Sequence, residues 1–98
     1  MDWIKDYYSK KGTLSARIYR LREDDTLTLR VMYNNCTEDL PFYISPKGNV
    51  TVGDISCNIL TDSGVKSLAA KVKDAYGIPE YVCKDTCYML KALMFSWR

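Results

Sequence analysis

The most regular pattern in the chain is an alternation of apolar and polar side chains within residues 14–33. A period of two is typical of strands with one buried face. A slip of one residue in the pairing would move half of the apolar side chains to solvent, so the pattern specifies the register of a β-hairpin. Its loop is either Glu23–Asp24 or the longer segment Arg22–Asp25. The expected cross-strand pairs are Leu14 with Tyr33, Ala16 with Val31, and Ile18 with Leu29.

Shorter segments continue the strand pattern after residue 40. Phe42–Ile44 and Val50–Val52 are separated by a turn at Ser45–Asn49, where a proline and a glycine favour a chain reversal. Gly53 interrupts the pattern, and a weaker alternation resumes over Ile55–Ile59. An antiparallel sheet of three to four strands is therefore expected.

Helical periodicity replaces alternation from residue 62 onwards. An apolar stripe predicts an amphipathic helix that is capped by Asp62 or Ser63 and ended by Gly77. A last helix is expected from Tyr81 or Lys84 to Trp97. The stripe of the first of these helices consists of Val65, Leu68, Ala69, Val72 and Tyr76.

The N-terminal segment also has a spacing that suits a helix. Trp3 and Tyr7 are about one helical turn apart, which favours a short helix over Asp2–Ser9. We therefore predict a single α+β domain over residues 1–98. It has an N-terminal helix, an antiparallel sheet of three to four strands, and two C-terminal helices packed on one face of the sheet.

The last helix has more apolar surface than one core-facing side requires. One stripe suits the core: Cys83, Cys87, Leu90, Met94 and Trp97. A second stripe combines lysines with aromatic residues: Lys84, Tyr88, Lys91 and Phe95. Two interpretations remain open. The aromatic rings pack against the first helix or the sheet rim with the lysine stems along them, or the stripe is a partner-binding surface.

The polar face of the hairpin is a second candidate site. The expected register places Arg17 opposite Arg30, with Tyr19 next along the strand, and directly opposed like charges are unfavourable. Either the acidic loop Glu23–Asp25 neutralises the arginines, or their guanidinium groups bind an anion such as a phosphate or a partner's carboxylate. We take Arg17, Tyr19 and Arg30, together with the second stripe of the last helix, as the candidate partner-binding residues.

The composition of the chain mainly excludes classes of function. The 98 residues include 14 Lys and Arg against 12 Asp and Glu, and a net charge of +2 does not indicate a nucleic acid or a membrane as partner. The chain has no histidine, the commonest general base, and no glycine-rich phosphate loop. We expect a protein that is not an enzyme and binds no cofactor.

The four cysteines are Cys36, Cys57, Cys83 and Cys87, and no Cys-x-x-Cys pair occurs among them. Structural zinc sites usually draw on closely paired ligands, so we expect apolar packing roles and no metal. The sequence shows no secretory signal and nothing near the roughly 18 apolar residues of a membrane span. The expected compartment is the cytoplasm.

Together these features favour a non-catalytic interaction protein that binds and modulates a protein or nucleoprotein partner. The order helix, strands, helix, helix resembles that of several small phage-encoded inhibitors, including some anti-CRISPR proteins, without a shared motif. The resemblance implies an inhibitor of a host defence nucleoprotein complex. A homodimer formed through the last helix is a further alternative.

A second resemblance favours a nucleic-acid partner. The α-β-β-β-α order and the segment Asp62–Lys71 look like the double-stranded-RNA-binding domain, whose phosphate-contacting helix begins at the corresponding place. Of that family's basic run only Lys66 and Lys71 are present, and its histidine-containing strand loop is absent. The resemblance implies binding of an RNA duplex as the alternative function.

Overall fold

An antiparallel sheet with two helices on one of its faces forms the fold. The computed structural model describes residues 2–8, 14–21, 25–33 and 40–96. In this part of the chain the sheet has six strands in sequence order, and each strand pairs with the next. The elements are β1 (Asp2–Tyr8), β2 (Leu14–Arg20), β3 (Leu27–Tyr33), β4 (Leu40–Ile44), β5 (Asn49–Val52), β6 (Ile55–Asn58), α1 (Asp62–Tyr76) and α2 (Glu80–Ser96).

The register expected for the hairpin of β2 and β3 is confirmed. Leu14 pairs with Tyr33, Ala16 with Val31, and Ile18 with Leu29. Five of these six side chains are buried and the sixth, that of Tyr33, is half-buried. The alternation of side chains was sufficient to predict this register, because only one register buries all of the apolar positions.

The expected N-terminal helix is wrong, because Asp2–Tyr8 forms β1, an edge strand paired with β2. A helix this short is marginal on its own, whereas pairing with β2 satisfies one side of the strand's backbone. The spacing of Trp3 and Tyr7 was misleading. Trp3 pairs with Tyr19 and Tyr7 with Ala16, so the two rings lie on opposite faces of the sheet.

The expected strand count is also wrong, since the sheet has six strands rather than three to four. Besides β1, the weak alternation after Gly53 forms a strand of its own, β6, which pairs with β5 across a tight turn. Half-buried side chains at alternate positions of β6 explain why its pattern is faint. The α+β class and the two C-terminal helices agree with the prediction.

The helix boundaries are close to those expected. Thr61, not Asp62 or Ser63, caps α1, and its hydroxyl oxygen accepts a hydrogen bond from the backbone N–H of Gly64 at 3.2 Å. Gly77 ends the helix in the left-handed conformation (φ 72°), as predicted. Four of the five stripe residues of α1 are buried, and the fifth, Tyr76, is exposed.

The core lies between the helices and one face of the sheet. α1 packs against β6 and α2 against β3, and the two helices pack on each other. The core stripe of α2 is buried over Cys83, Cys87, Leu90 and Met94. None of the helices in the described part of the chain has the length and apolar content needed to cross a membrane.

Some predictions fall outside the described residues. They concern the hairpin loop at residues 22–24, Cys36, and Trp97 at the end of the core stripe.

Candidate functional site

The face of the sheet that points away from the helices carries a cluster of arginine and aromatic side chains. Strands β1, β2 and β3 supply it, and in the described ranges no helix packs on it. We call this surface the open sheet face. It consists of Trp3, Asp6, Tyr8, Arg17, Tyr19, Arg30 and Met32.

A bulge in β1 determines which of its side chains reach this face. The register shifts between Trp3 and Lys5, so the pairing changes parity within the strand. As a result Trp3, Asp6 and Tyr8 lie on one face although they do not follow a strict period of two. Without the extra residue, Trp3 would lie on the opposite face from Asp6.

The opposed arginines expected from the sequence are present, and Arg17 pairs directly with Arg30. Their repulsion is reduced by Asp6 of β1 rather than by Asp25 of the loop, the only one of the three expected loop acids that is described. The Nε of Arg17 donates to Oδ1 of Asp6 at 2.8 Å, and the indole Nε1 of Trp3 donates to the same oxygen at 3.2 Å. Strand β1 therefore supplies a charge partner for Arg17.

These contacts also determine the charge states at the site. Hydrogen bonds from Arg17 and Trp3 hold the pKa of Asp6 below its ordinary value of 3.8. Hydrogen bonding to Asp6 and Tyr19 raises the pKa of Arg17 above its ordinary value. Both groups are consequently charged at neutral pH, and the described residues of the open sheet face include two guanidinium groups and one carboxylate.

Each arginine also lies over an aromatic ring. The guanidinium carbon of Arg17 is 6.0 Å from the centre of the Trp3 ring, and that of Arg30 is 5.5 Å from the centre of the Tyr19 ring. Such cation–π contacts restrict the rotamers of long side chains and stabilise each charge. Both arginine side chains are therefore restrained by contacts within the open sheet face.

Thr28 is a buried polar residue beside this site. Its side chain is fully buried between Tyr19 and Tyr43, its cross-strand partners on β2 and β4. The hydroxyl has no hydrogen-bond partner in the described part of the chain. An unpaired buried hydroxyl is unfavourable, so Thr28 lowers the stability of the centre of the sheet.

The second predicted stripe lies on α2, in the helical layer on the other side of the sheet. Tyr88 and Phe95 are 48% and 64% exposed, while Lys84 and Lys91 are half-buried. The alternative interpretation packs these rings against the first helix or the sheet rim, and in the structure about half of the Tyr88 side chain and most of that of Phe95 are exposed. The structure separates the predicted residues into two surfaces: Arg17, Tyr19 and Arg30 lie together, and the α2 stripe lies apart from them.

The cysteines in the described residues belong to the core or its margin. Hydrogen bonding to Cys83 and burial raise the pKa of Cys87, so its thiol stays protonated at neutral pH. Cys57 is half-buried, with its sulfur 3.9 Å from Nζ of Lys71. Across the described ranges no three cysteine or carboxylate side chains are grouped as metal ligands.

The sequence prediction missed Trp3, Asp6, Tyr8 and Met32 as parts of the site. The first three were assigned to a helix, and the last was treated only as a polar-face position of the hairpin. The composition of Asp2–Tyr8, with one tryptophan, one isoleucine and two tyrosines, favours a strand and was the available signal. The bulge, however, leaves no regular alternation to detect.

Comparisons of the chain with protein-family models, with curated proteins and with solved structures found no match.

Proposed function

We propose that this protein is a non-catalytic binding domain that attaches to a partner protein through its open sheet face and thereby modulates the partner. The observation that carries the proposal is the pair Arg17 and Arg30, each held over an aromatic ring on a face that no described helix covers. Tryptophan, tyrosine and arginine are the residue types that most often dominate binding energy at protein interfaces.

The exposure of the same face supports a docking role. Tyr8 is 75% exposed, and Trp3 and Met32 are also exposed beside the arginines. A large apolar side chain that stays in water gains free energy when a partner covers it. Arginines restrained by rings and by Asp6 lose less conformational entropy on binding than free side chains do.

Two features make a protein a better partner for this face than a nucleic acid. Tight nucleic-acid binding draws on many phosphate contacts, whereas the described residues of the open sheet face include two guanidinium groups, and that of Arg17 bonds Asp6. In addition, the arginines occupy positions over Trp3 and Tyr19 where bases would stack. Binding of double-stranded RNA depended on an α-β-β-β-α order, and the described chain begins with a strand instead.

Three narrower expectations remain predictions: inhibition of a defence complex, absence of catalysis, and a cytoplasmic location. The resemblance to phage-encoded inhibitors relied on an N-terminal helix, whereas Asp2–Tyr8 forms strand β1. Absence of catalysis is consistent with a chain that lacks histidine. A reducing, cytoplasmic compartment is consistent with the free thiols of Cys83 and Cys87.

Affinity capture from a lysate of the source organism, with quantification of the captured proteins, tests this proposal. The wild type is compared with Arg17→Glu/Arg30→Glu and with a matched control, Lys66→Glu/Lys73→Glu, which reverses two exposed charges of α1. We expect one protein to be captured by the wild type and the control at equal yield and to be lost with the sheet-face variant. Circular dichroism melting curves check that each variant is folded.

Two further experiments distinguish a protein partner from a nucleic acid and the open sheet face from the α2 stripe. Nuclease treatment of the lysate leaves capture unchanged if the partner is a protein, whereas loss of capture would contradict the proposal in favour of a nucleic acid. The variant Lys84→Glu/Lys91→Glu probes the α2 stripe. Capture that is lost in this variant and kept in Arg17→Glu/Arg30→Glu would place the interface on α2 and overturn the assignment to the open sheet face.

A further inference from the structure

Three exposed aromatic side chains follow one line along α2. Tyr81, Tyr88 and Phe95 are 49%, 48% and 64% exposed and succeed one another at a constant spacing in the sequence. This spacing is close to two full helical turns, so the three side chains leave the same side of the helix at intervals of about 10 Å. We call these three residues the aromatic line. Because the opposite side of α2 already serves the core, the aromatic line is surplus apolar surface.

The first ring of the aromatic line is restrained within the monomer. The Tyr81 ring meets the Tyr33 ring edge to face, with 6.5 Å between the ring centres, and the two hydroxyl oxygens are 3.5 Å apart. A restrained ring loses less conformational entropy than a mobile one when another surface covers it. The line is therefore prepared for contact at the end where α2 begins.

Charged side chains of opposite sign flank the aromatic line. At about 100° per residue, Lys84 and Lys91 lie on one flank and Asp85 lies on the other. Within the part of the chain that the structure describes, none of these three side chains forms an ion pair. A partner surface with one sign of charge would be repelled on one flank, whereas a surface with both signs can pair on both. The exposed side of a second α2 has this property.

The placement of the charges also determines how two copies of α2 would pair. In an antiparallel pair with two-fold symmetry, the same flank of both helices lies on the same side of the contact, so lysines would face lysines. In a parallel pair the two-fold axis runs along the helices and brings the lysine flank of each copy against the acidic flank of the other. Lys84 of each copy then lies beside Asp85 of the other, and each ring of the aromatic line meets its counterpart.

We propose that two copies of this chain associate through the aromatic lines of parallel α2 helices, with Lys84 of each copy paired to Asp85 of the other. One helix from each copy makes the contact, so the area is small and the dimer is weak, with a Kd of about 10–100 µM. The helices and the open sheet face lie on opposite sides of the sheet, so this contact leaves both open sheet faces uncovered. The inference does not depend on the partner proposed for the open sheet face.

Sedimentation velocity of the purified full chain, from about 2 µM to about 500 µM, tests the proposal without an added ligand. We expect the sedimentation coefficient to rise from the monomer value to the dimer value. Tyr88→Ala removes the central ring and should weaken association by about tenfold or more. Asp74→Lys changes an exposed charge of α1 and should alter association by less than about twofold. Circular dichroism melting curves at about 2 µM, where the chain is monomeric, check that each variant is folded.

An exchange of charges tests the parallel arrangement. Lys84→Asp and Asp85→Lys each place like charges together across the contact and should weaken association by about fivefold or more. The double variant Lys84→Asp/Asp85→Lys restores opposite charges and should return to within about twofold of the wild type. A general loss of helix stability cannot produce this recovery, because the double variant carries both changes. Tighter association of Lys84→Asp would indicate antiparallel helices and overturn the proposal.

Other outcomes also overturn the proposal. They are a chain that stays monomeric up to about 500 µM, association that is unchanged in Tyr88→Ala, and a double variant that does not recover. If the chain is monomeric and capture from a lysate is lost in Lys84→Glu/Lys91→Glu, a different protein covers the α2 stripe. Capture through Arg17 and Arg30 is measured separately. A monomer that captures its partner through these arginines contradicts the dimer alone, and a dimer that captures no partner contradicts the proposed function alone.

Discussion

Thr28 shows how a single buried hydroxyl can limit the stability of a sheet. We predict that Thr28→Val raises the free energy of unfolding by about 1 kcal/mol, since it removes an unpaired buried polar group while keeping the branched shape of the side chain. Urea denaturation of the two proteins measures the change. A loss of stability would show that the hydroxyl is hydrogen-bonded in solution.

A second prediction at the scale of residues concerns Asp6 and the pH dependence of the free energy of unfolding. Its folded pKa is lowered, so its contribution to stability is present above the unfolded pKa of about 3.9 and is lost as pH falls through the lower folded value. We expect Asp6→Asn to be less stable than the wild type at pH 7 and the difference to shrink as the pH falls below the ordinary carboxyl pKa of about 3.9.

Urea midpoints measured between pH 7 and pH 2.5 check this expectation. Asp74→Asn, a change at an exposed position of α1, is the matched control and should show a smaller difference at pH 7. A gap between the wild type and Asp6→Asn that is constant over the whole range would contradict the role of the Asp6 carboxylate.

At the scale of elements, the junction of β6 and α1 depends on a glycine. A Cβ atom on Gly64 would overlap the backbone carbonyl oxygen of Asn58, although alanine ordinarily favours a helix over glycine. We therefore predict that Gly64→Ala lowers the free energy of unfolding by at least roughly 2 kcal/mol through overpacking.

Gly77 offers a comparison for that experiment. A Cβ there would meet open space, and only its left-handed backbone disfavours alanine, by about 1 kcal/mol. Thermal or urea unfolding should thus rank Gly64→Ala as the more destabilising change. The reverse order would mean that backbone conformation matters more than the close approach at Asn58.

Of the strand pairings at the site, one could be predicted from the sequence and one could not. The pairing of β2 with β3 could be predicted because Leu14, Ile18 and their partners have to share one face. Strand β1 could not be predicted, because its bulge interrupts the alternation of side chains. Its formation also depends on pairing with β2, which is a tertiary interaction. The sequence therefore predicted that Arg17 lies opposite Arg30, whereas the ion pair between Arg17 and Asp6 could not be predicted from it.

At the scale of the whole molecule, the two sides of α2 differ in their contribution to the stability of the fold. Leu90 is fully buried in the core that joins the helices to the sheet. We predict that Leu90→Ala lowers the free energy of unfolding by about 2–5 kcal/mol, a large share of the roughly 5–15 kcal/mol typical of a domain. Phe95→Ala, at an exposed position, should change it by less than about 0.5 kcal/mol.

Paired denaturation curves for the two variants check this contrast. A loss at Phe95 comparable to the loss at Leu90 would show that the α2 stripe is part of the packed core in solution. A small loss at Phe95 would leave the α2 stripe exposed on the surface.

The strand order of the sheet has a consequence for synthesis of the chain. Since each strand pairs with its predecessor, the sheet can grow one strand at a time as the polypeptide leaves the ribosome. The helices that cover its apolar face are made after the sheet, from residue 62 onwards. Nascent chains that stop at this point expose that whole face, and they are the species that chaperones have to protect from aggregation.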